Sequence, residues 1–240
     1  HLYGRRYVRF VSWNANGAFR KKFHLLDDMA ADVYVIQECE DPARSNDARY
    51  SAWASNYLWL GQSKNKGLGV FARPEITLEP IAQDVAPLEY FLPCKVAGEL
   101  TLLAVWAREA NSPTFKYIGQ LYKYLQLHGA SLNTSKSVIA GDLNSNARWD
   151  VWDRWWNHSD VVNSLSAMDI VSLYHQLRSE AQGAELVPTF YLQRKLAKPY
   201  HIDYVFASAG LLAAAELEVG SSDVWLEHSD HMPLRFSLTI

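Results

Sequence analysis

The sequence predicts a single α/β domain in which two sheets pack face to face beneath outer helices. Three observations point there. Strand-like apolar runs recur along the chain and several of them end in a polar or acidic residue. Segments with helical spacing fall between them. No fixed-period repeat, low-complexity tract or Pro/Gly-rich linker divides the 240 residues. That length suits one large domain with a sizeable core, and the chemically suggestive residues run from Asn14 to His231, so a boundary would cut them apart. The expected domain is therefore 1–240.

Residues 8–13 alternate at the two-residue period of a strand, and Phe19, Phe23, Leu26 and Met29 come next at helical spacing. Residues 32–37 read as a buried strand that delivers Glu38 at its end, ahead of a polar loop, 40–49, whose Pro42, Ser45, Asn46 and Asp47 favour turns. Residues 67–72 and 99–107 look like further strands. Between those and the strand at 137–140, Phe115, Ile118, Leu121, Tyr122 and Leu125 mark an amphipathic helix. Trp149, Trp152, Trp155 and Trp156 recur at roughly helical spacing, and the last three are expected in the core. Residues 189–192, 201–207 and 234–240 complete the pattern, which makes the last third mostly strand.

Composition narrows the function classes. Hydrophobic residues make up 49% of the chain and charged residues 20%, the balance of an ordinary globular protein. No apolar run approaches the roughly 20 residues that a membrane span requires. The formal net charge of -3 argues against non-specific coating of nucleic acid, which relies on many cations releasing counterions. It does not exclude a nuclease, because carboxylates gathered in a site account for part of the negative charge and a bound divalent cation reverses the local field. Cys39 and Cys94 are the only cysteines and show no zinc-binding spacing, so neither a disulfide framework nor structural zinc is expected. With no charged-then-apolar leader in the sequence, the expected compartment is the cytoplasm.

Polar residues at strand ends carry the chemistry. Glu38 suits a hard divalent cation such as Mg2+ or Mn2+, which prefers oxygen donors; the bland alternative is a surface ion pair or a turn residue. Asp142 and Asn144 leave one strand together and can face the same way. A carboxylate there can take a proton from attacking water while a carboxamide engages a phosphate oxygen, whereas the plain alternative is an Asx turn. Asp230 and His231 pair an acid with an imidazole that, when charged, stabilises negative charge developing on phosphorus. Asp203 is either a second orienting carboxylate or a structural acceptor in a buried strand.

The order Ser-Trp-Asn (12–14), Gln-Glu (37–38), Gly-Asp-Leu-Asn-Ser-Asn (141–146), Ile-Asp-Tyr (202–204) and Ser-Asp-His (229–231) closely resembles the endonuclease/exonuclease/phosphatase superfamily over essentially the whole chain. The resemblance implies a four-layered α/β/β/α sandwich of two packed mixed sheets with outer helices and a site at one sheet edge. It implies Glu38 as principal metal ligand with Asn14 and Asp230 nearby, and Asp142 as the residue that orients or deprotonates water. It further implies Asn144 at the scissile phosphate, His231 as the phosphate-stabilising histidine, and Asp203 as the carboxylate that orients a histidine; His201 is a further candidate partner for it. Where members commonly carry a tyrosine or histidine after the central strand, this chain has Trp106, which lacks a phenolic proton.

The expected reaction is in-line hydrolysis of a phosphodiester with Mg2+ or Mn2+, and the leading substrate is nucleic acid, DNA first. Arg108, Lys116, Asn146, Arg148 and Trp149 flank the motif strands and can hold backbone phosphates or stack on bases, with Trp106 as another substrate contact. Two other readings stay open. The same site can hydrolyse an inositol, lipid or nucleotide phosphate, and a catalytically silent binding module can retain the fold.

Overall fold

The computed structural model describes residues 6–240, so the first five residues of the expected 1–240 domain lie outside the described residues. Fourteen strands are present among them. In chain order the first seven are β1 (Tyr7–Asn14), β2 (Val33–Cys39), β3 (Tyr57–Ser63), β4 (Lys66–Ala72), β5 (Leu78–Pro80), β6 (Phe91–Val96) and β7 (Leu100–Trp106). The rest are β8 (Ser137–Asp142), β9 (Ile170–Ser172), β10 (Phe190–Tyr191), β11 (Pro199–Tyr200), β12 (Asp203–Ser208), β13 (Glu216–Val219) and β14 (Leu234–Thr239). The α-helices are α1 (Ala48–Trp53), α2 (Ile118–His128), α3 (His158–Ser166), α4 (Leu173–Arg178) and α5 (Ser222–Trp225).

Two six-stranded sheets form, in the orders β13-β14-β1-β2-β4-β3 and β5-β6-β7-β8-β12-β9, with β10 and β11 as a separate ribbon. Each sheet is mixed. β1 runs parallel to β2 and β7 parallel to β8, while every other pairing is antiparallel. Strand alternation explains the layering. On β7, Leu100, Leu102, Ala104 and Trp106 face the core between the sheets, joined there by Phe10, Val35, Val70, Val138 and Phe236. The opposite face, Leu103 and Val105, packs under Ile118, Leu121 and Tyr124 of α2 and Val161 and Leu165 of α3. On the other side of the molecule, Val11, Trp13 and Ile36 are covered by Phe19, Phe23, Tyr50 of α1 and Trp225 of α5. The order is helix, sheet, sheet, helix, as expected.

Three expectations need correction. Residues 19–29 carry the expected apolar spacing, but they form two 3-10 segments, Phe19–Lys21 and Phe23–Met29, separated by Lys22 in a non-helical conformation. The tryptophan segment is no helix: only Ala147–Trp149 makes a 3-10 turn, and side-chain hydrogen bonds from Asn157 hold the loop beyond it. The last third contains α3, α4 and α5 as well as strands, and only Phe190–Tyr191 of the expected strand at 189–192 is extended ladder.

Candidate active site

The two parallel pairs set the position of the site, because β1, β2, β7 and β8 all end at one edge of the molecule and β12 begins there opposite β8. Asn14 closes β1, Asp142 closes β8, and Asp203 opens β12 directly across from Asp142 in the antiparallel register. β8 reaches this edge only because residue 141 is glycine. Its φ is +152°, and a Cβ would lie 1.8 Å from the Val105 carbonyl oxygen. Glu38 lies one residue before the end of β2 with φ +60°, at a register shift between Gln37 and Cys39. Such a bulge re-aims a side chain away from the ladder, and the left-handed conformation of a non-glycine residue is the strain that accompanies it.

The buried groups form one connected set. Asn14 Nδ2 donates to Asp142 Oδ2 at 3.0 Å, and the Asn144 backbone N–H donates to Asp142 Oδ1 at 2.9 Å. His231 Nδ1 lies 2.9 Å from Asp203 Oδ2, while its Nε2 lies 3.6 Å from Asp142 Oδ2 and 3.9 Å from Asp230 Oδ1. The His201 ring is not the partner of Asp203; its Nδ1 meets the Val187 carbonyl and the ring packs against Tyr174 behind the site.

Charge in this set is shared in a low-dielectric pocket. Burial alone lowers the His231 pKa, but the carboxylates of Asp203 and Asp142 outweigh it and hold the imidazolium up to about 10. Burial pushes Asp142 up, the adjacent His231 pulls it back, and Asp203 raises it again, leaving it at about 7. Asp230 is also raised, by burial first and then by Glu38, with His231 opposing.

Supporting contacts come from residues to which the sequence reading assigned no role of their own. Ser229 Oγ donates to the Asn14 carbonyl and accepts from the His231 N–H, and Trp13 Nε1 donates to the His231 carbonyl. Thr189 Oγ1 accepts from the backbone of both Ile202 and Asp203. Lys22 Nζ donates to the carbonyls of Ala15 and His228, each at 2.6 Å, and stitches the loop after β1 to the loop before β14. Burial, then the nearby Arg194, lowers the Lys22 pKa. Ser229 belonged to a visible motif; Thr189 and Lys22 carried no local signal.

The expected substrate contacts divide. Asn144, in the left-handed region at φ +47°, holds the Ala107 carbonyl with one N–H and lines a cleft of about 300 Å³ with Trp149, Phe190, Leu192, Tyr200 and Ile202. Arg108 and Arg148 are exposed. Asn146 is not on the cleft: it is 3% exposed, and its amide is consumed by His201, Glu185 and the Arg148 N–H. Trp106 is buried between the sheets, on the face that Asp142 shares, with the Arg108 guanidinium 4.5 Å above its ring. Trp152 and Trp155, expected in the core, are 95% and 65% exposed. Lys116 is spent on Glu109 at 2.8 Å.

Two mixed sheets with such an edge, together with the family match, define a phosphoester hydrolase. The chain belongs to the Endonuclease/Exonuclease/phosphatase family, whose model matches residues 11–231. It is similar in fold to a 3'-5' exonuclease (NExo) from Neisseria meningitidis, at 21% identity and TM-score 0.67, covering 95% of this chain and 98% of that one. It is likewise similar to the 3' phosphatase NExo from Neisseria bound to product DNA hairpin, at 20% identity and TM-score 0.68 over 95% and 98% of the two chains. A third likeness is to the AP endonuclease LMAP from Leishmania major, at 14% identity and TM-score 0.69 over 98% and 88%. No curated protein matches the sequence. No helix among the described residues is long and apolar enough to cross a membrane.

Proposed function

We propose that this chain is one catalytic domain, a divalent-metal-dependent phosphodiesterase that hydrolyses the nucleic-acid backbone, DNA first, by in-line attack of water. The observation that supports it above others is the convergence of Asn14, Asp142, Asp203, Asp230 and His231 on one sheet edge, with a cationic imidazole held among carboxylates. The solved structures it is similar to include an exonuclease, an AP endonuclease and a 3' phosphatase bound to a DNA hairpin, which favours nucleic acid over an inositol or lipid phosphate.

The residues fit a hard cation on the Glu38–Asp230 side of the site. Asp230 Oδ1 is buried without a hydrogen-bond partner, and Glu38 lies close enough to repel it, so an oxygen-seeking Mg2+ or Mn2+ would relieve both. Asp142, Asp203 and His231 also bring donor atoms within 4.8 Å of one another, but His231 Nδ1 is already committed to Asp203, and a cation there would have to break that pair. Glu38 and Asp230 are the proposed ligands, with Asn14, whose Oδ1 also accepts from the Asn16 N–H, as the third proposed residue. When bound, the ion polarises the phosphate and supports the leaving oxygen.

The side chains supply the rest. Asp142, fixed by the Asn14 amide and the Asn144 N–H, accepts the proton of the attacking water. His231, kept cationic by Asp203, faces the negative charge that develops on phosphate oxygens. Asn144 offers its second amide N–H to the scissile phosphate. Trp106 donates no proton to the leaving group from its place in the inter-sheet core. The test is metal-dependent turnover across plasmid, linear duplex, single-stranded DNA, RNA and abasic oligonucleotides, beside phosphoinositides and nucleotides. Cutting of nucleic acid that Asp142→Ala abolishes supports the reading. Turnover confined to the small phosphates refutes it.

A further inference from the structure

The loop after Trp149 carries three more tryptophans within seven residues. Trp149, which shares the cleft wall with Asn144, packs against Tyr200 at 5.6 Å. Farther along the same loop, Trp155 meets Trp156 edge-on at 4.7 Å, and Trp156 rests on Phe115 at 4.9 Å. Between these anchored ends Trp152 stands 95% exposed. Large apolar side chains concentrated in water on one loop, Trp149, Val151, Trp152 and Trp155, mark an interaction surface, and Trp149 joins that loop to the cleft wall.

The loop is held open rather than left loose. Asn157 Oδ1 accepts from the Val151 N–H and Arg154 Nε, and its Nδ2 donates to the carbonyls of Val151 and Arg154, all between 2.7 and 2.9 Å. Four hydrogen bonds from one carboxamide fix the presentation of Trp152 and Trp155 before any partner arrives, which lowers the ordering entropy of binding. Arg148 and Arg154 pair with no carboxylate among the described residues. Asp150 is turned inward onto Ser159, so Asp153 is the loop's one outward carboxylate against two guanidiniums.

Resting on the nuclease reading, we propose that Trp152 and Trp155 form a stacking platform for the bases of an unpaired nucleic-acid strand whose backbone enters the cleft at Asn144 and Trp149. Aromatic faces bind any base, but only bases not already stacked and paired in a duplex offer a free face. Arg148 and Arg154 supply the phosphate contacts that interleave with the rings. The preferred substrate is thus a single strand, an overhang or a frayed end.

The test measures anisotropy of a labelled thymidine strand of about twelve nucleotides, long enough for one binding surface. It is run in EDTA so that no cutting occurs, beside an abasic strand of equal length. The protein is used as wild type, as Trp152→Ala/Trp155→Ala and as Trp152→Phe/Trp155→Phe. Expected are a loss of affinity of about tenfold or more in the alanine variant, recovery to within about threefold in the phenylalanine variant, and weak binding of the abasic strand. Hydrolysis of bis(4-nitrophenyl) phosphate in Mg2+ is expected to be equal in all three. Equal binding of thymidine and abasic strands, or no effect of the alanines, overturns the platform; if wild type still cuts nucleic acid, the function stands without it. Capture on anionic vesicles with no binding of either strand also overturns it. Wild-type turnover of small phosphates alone overturns both readings.

Discussion

Replacing Glu185 by glutamine should expose how the floor of the site is held. The Glu185 side chain is 1% exposed and lies between three donors: His175 Nε2 at 2.6 Å, Asn146 Nδ2 at 2.9 Å and the Gly183 N–H at 2.9 Å. Asn146 also donates to the His201 carbonyl, two residues before Asp203, so the carboxylate ties the end of β8 to the start of β12. Burial would raise its pKa, but the bonds from His175, Asn146 and Gly183 outweigh that and lower it to about 2 from 4.5. At about 1.4 kcal/mol per unit, the ionised form contributes up to about 3 kcal/mol. A depressed carboxylate stabilises the fold fully above its unfolded pKa near 4.5 and loses that contribution as pH falls toward 2. Urea unfolding at a series of pH values should therefore find Glu185→Gln weaker than wild type by about 2–3 kcal/mol at pH 7, with the gap closing below pH 4. Parallel stability curves for the two proteins across that range would refute the reasoning.

Other perturbations separate the parts of the site. Asp203→Asn removes the foremost carboxylate that keeps His231 cationic, so kcat should fall by about 100-fold to 1000-fold and the alkaline limb of the pH–rate profile should move to lower pH; an unshifted limb contradicts the pairing. Asp230→Asn should weaken Mn2+ binding, read by calorimetry, by about tenfold or more, whereas undiminished affinity would remove Asp230 from the ligand set. Gly141→Ala places a Cβ 1.8 Å from the Val105 oxygen and should cost more than about 3 kcal/mol in urea unfolding; a wild-type midpoint would show that β7 and β8 can part at no cost.

Much of this architecture was legible in the sequence because strands β1, β2, β4, β7, β8, β12 and β14 each carry an apolar run of strand length, and the polar residues at the ends of β1, β2 and β8 and at the start of β12 fall at one edge. The illegible parts have physical causes. β3 is half-buried along Tyr57–Gly61 and shows no alternation, while β6 carries Pro93, which reads as a strand breaker. The helical spacing of the tryptophans and the expected burial of Trp152, Trp155 and Trp156 give way because the carboxamide of Asn157, the N-cap residue of α3, closes the segment into a loop and leaves Trp152 and Trp155 in solvent. Asn144 and Asn146 look alike beside Asp142. The left-handed turn at Asn144 directs the chain so that Asn144 lines the cleft and Asn146 points into the protein, and only the backbone records it. Thr189 and Lys22 act through backbone groups far away in sequence, and no local pattern announces such bonds.

The measurement that bears most directly on the central claim is single-turnover cleavage of an end-labelled DNA oligonucleotide at increasing Mg2+ and Mn2+, with wild type, Asp142→Asn and His231→Gln side by side. The account expects cutting that depends on the cation, stops in EDTA and falls by about 100-fold or more in either variant while both remain folded. Cleavage that persists in EDTA, or that both variants retain at the wild-type rate, would contradict it.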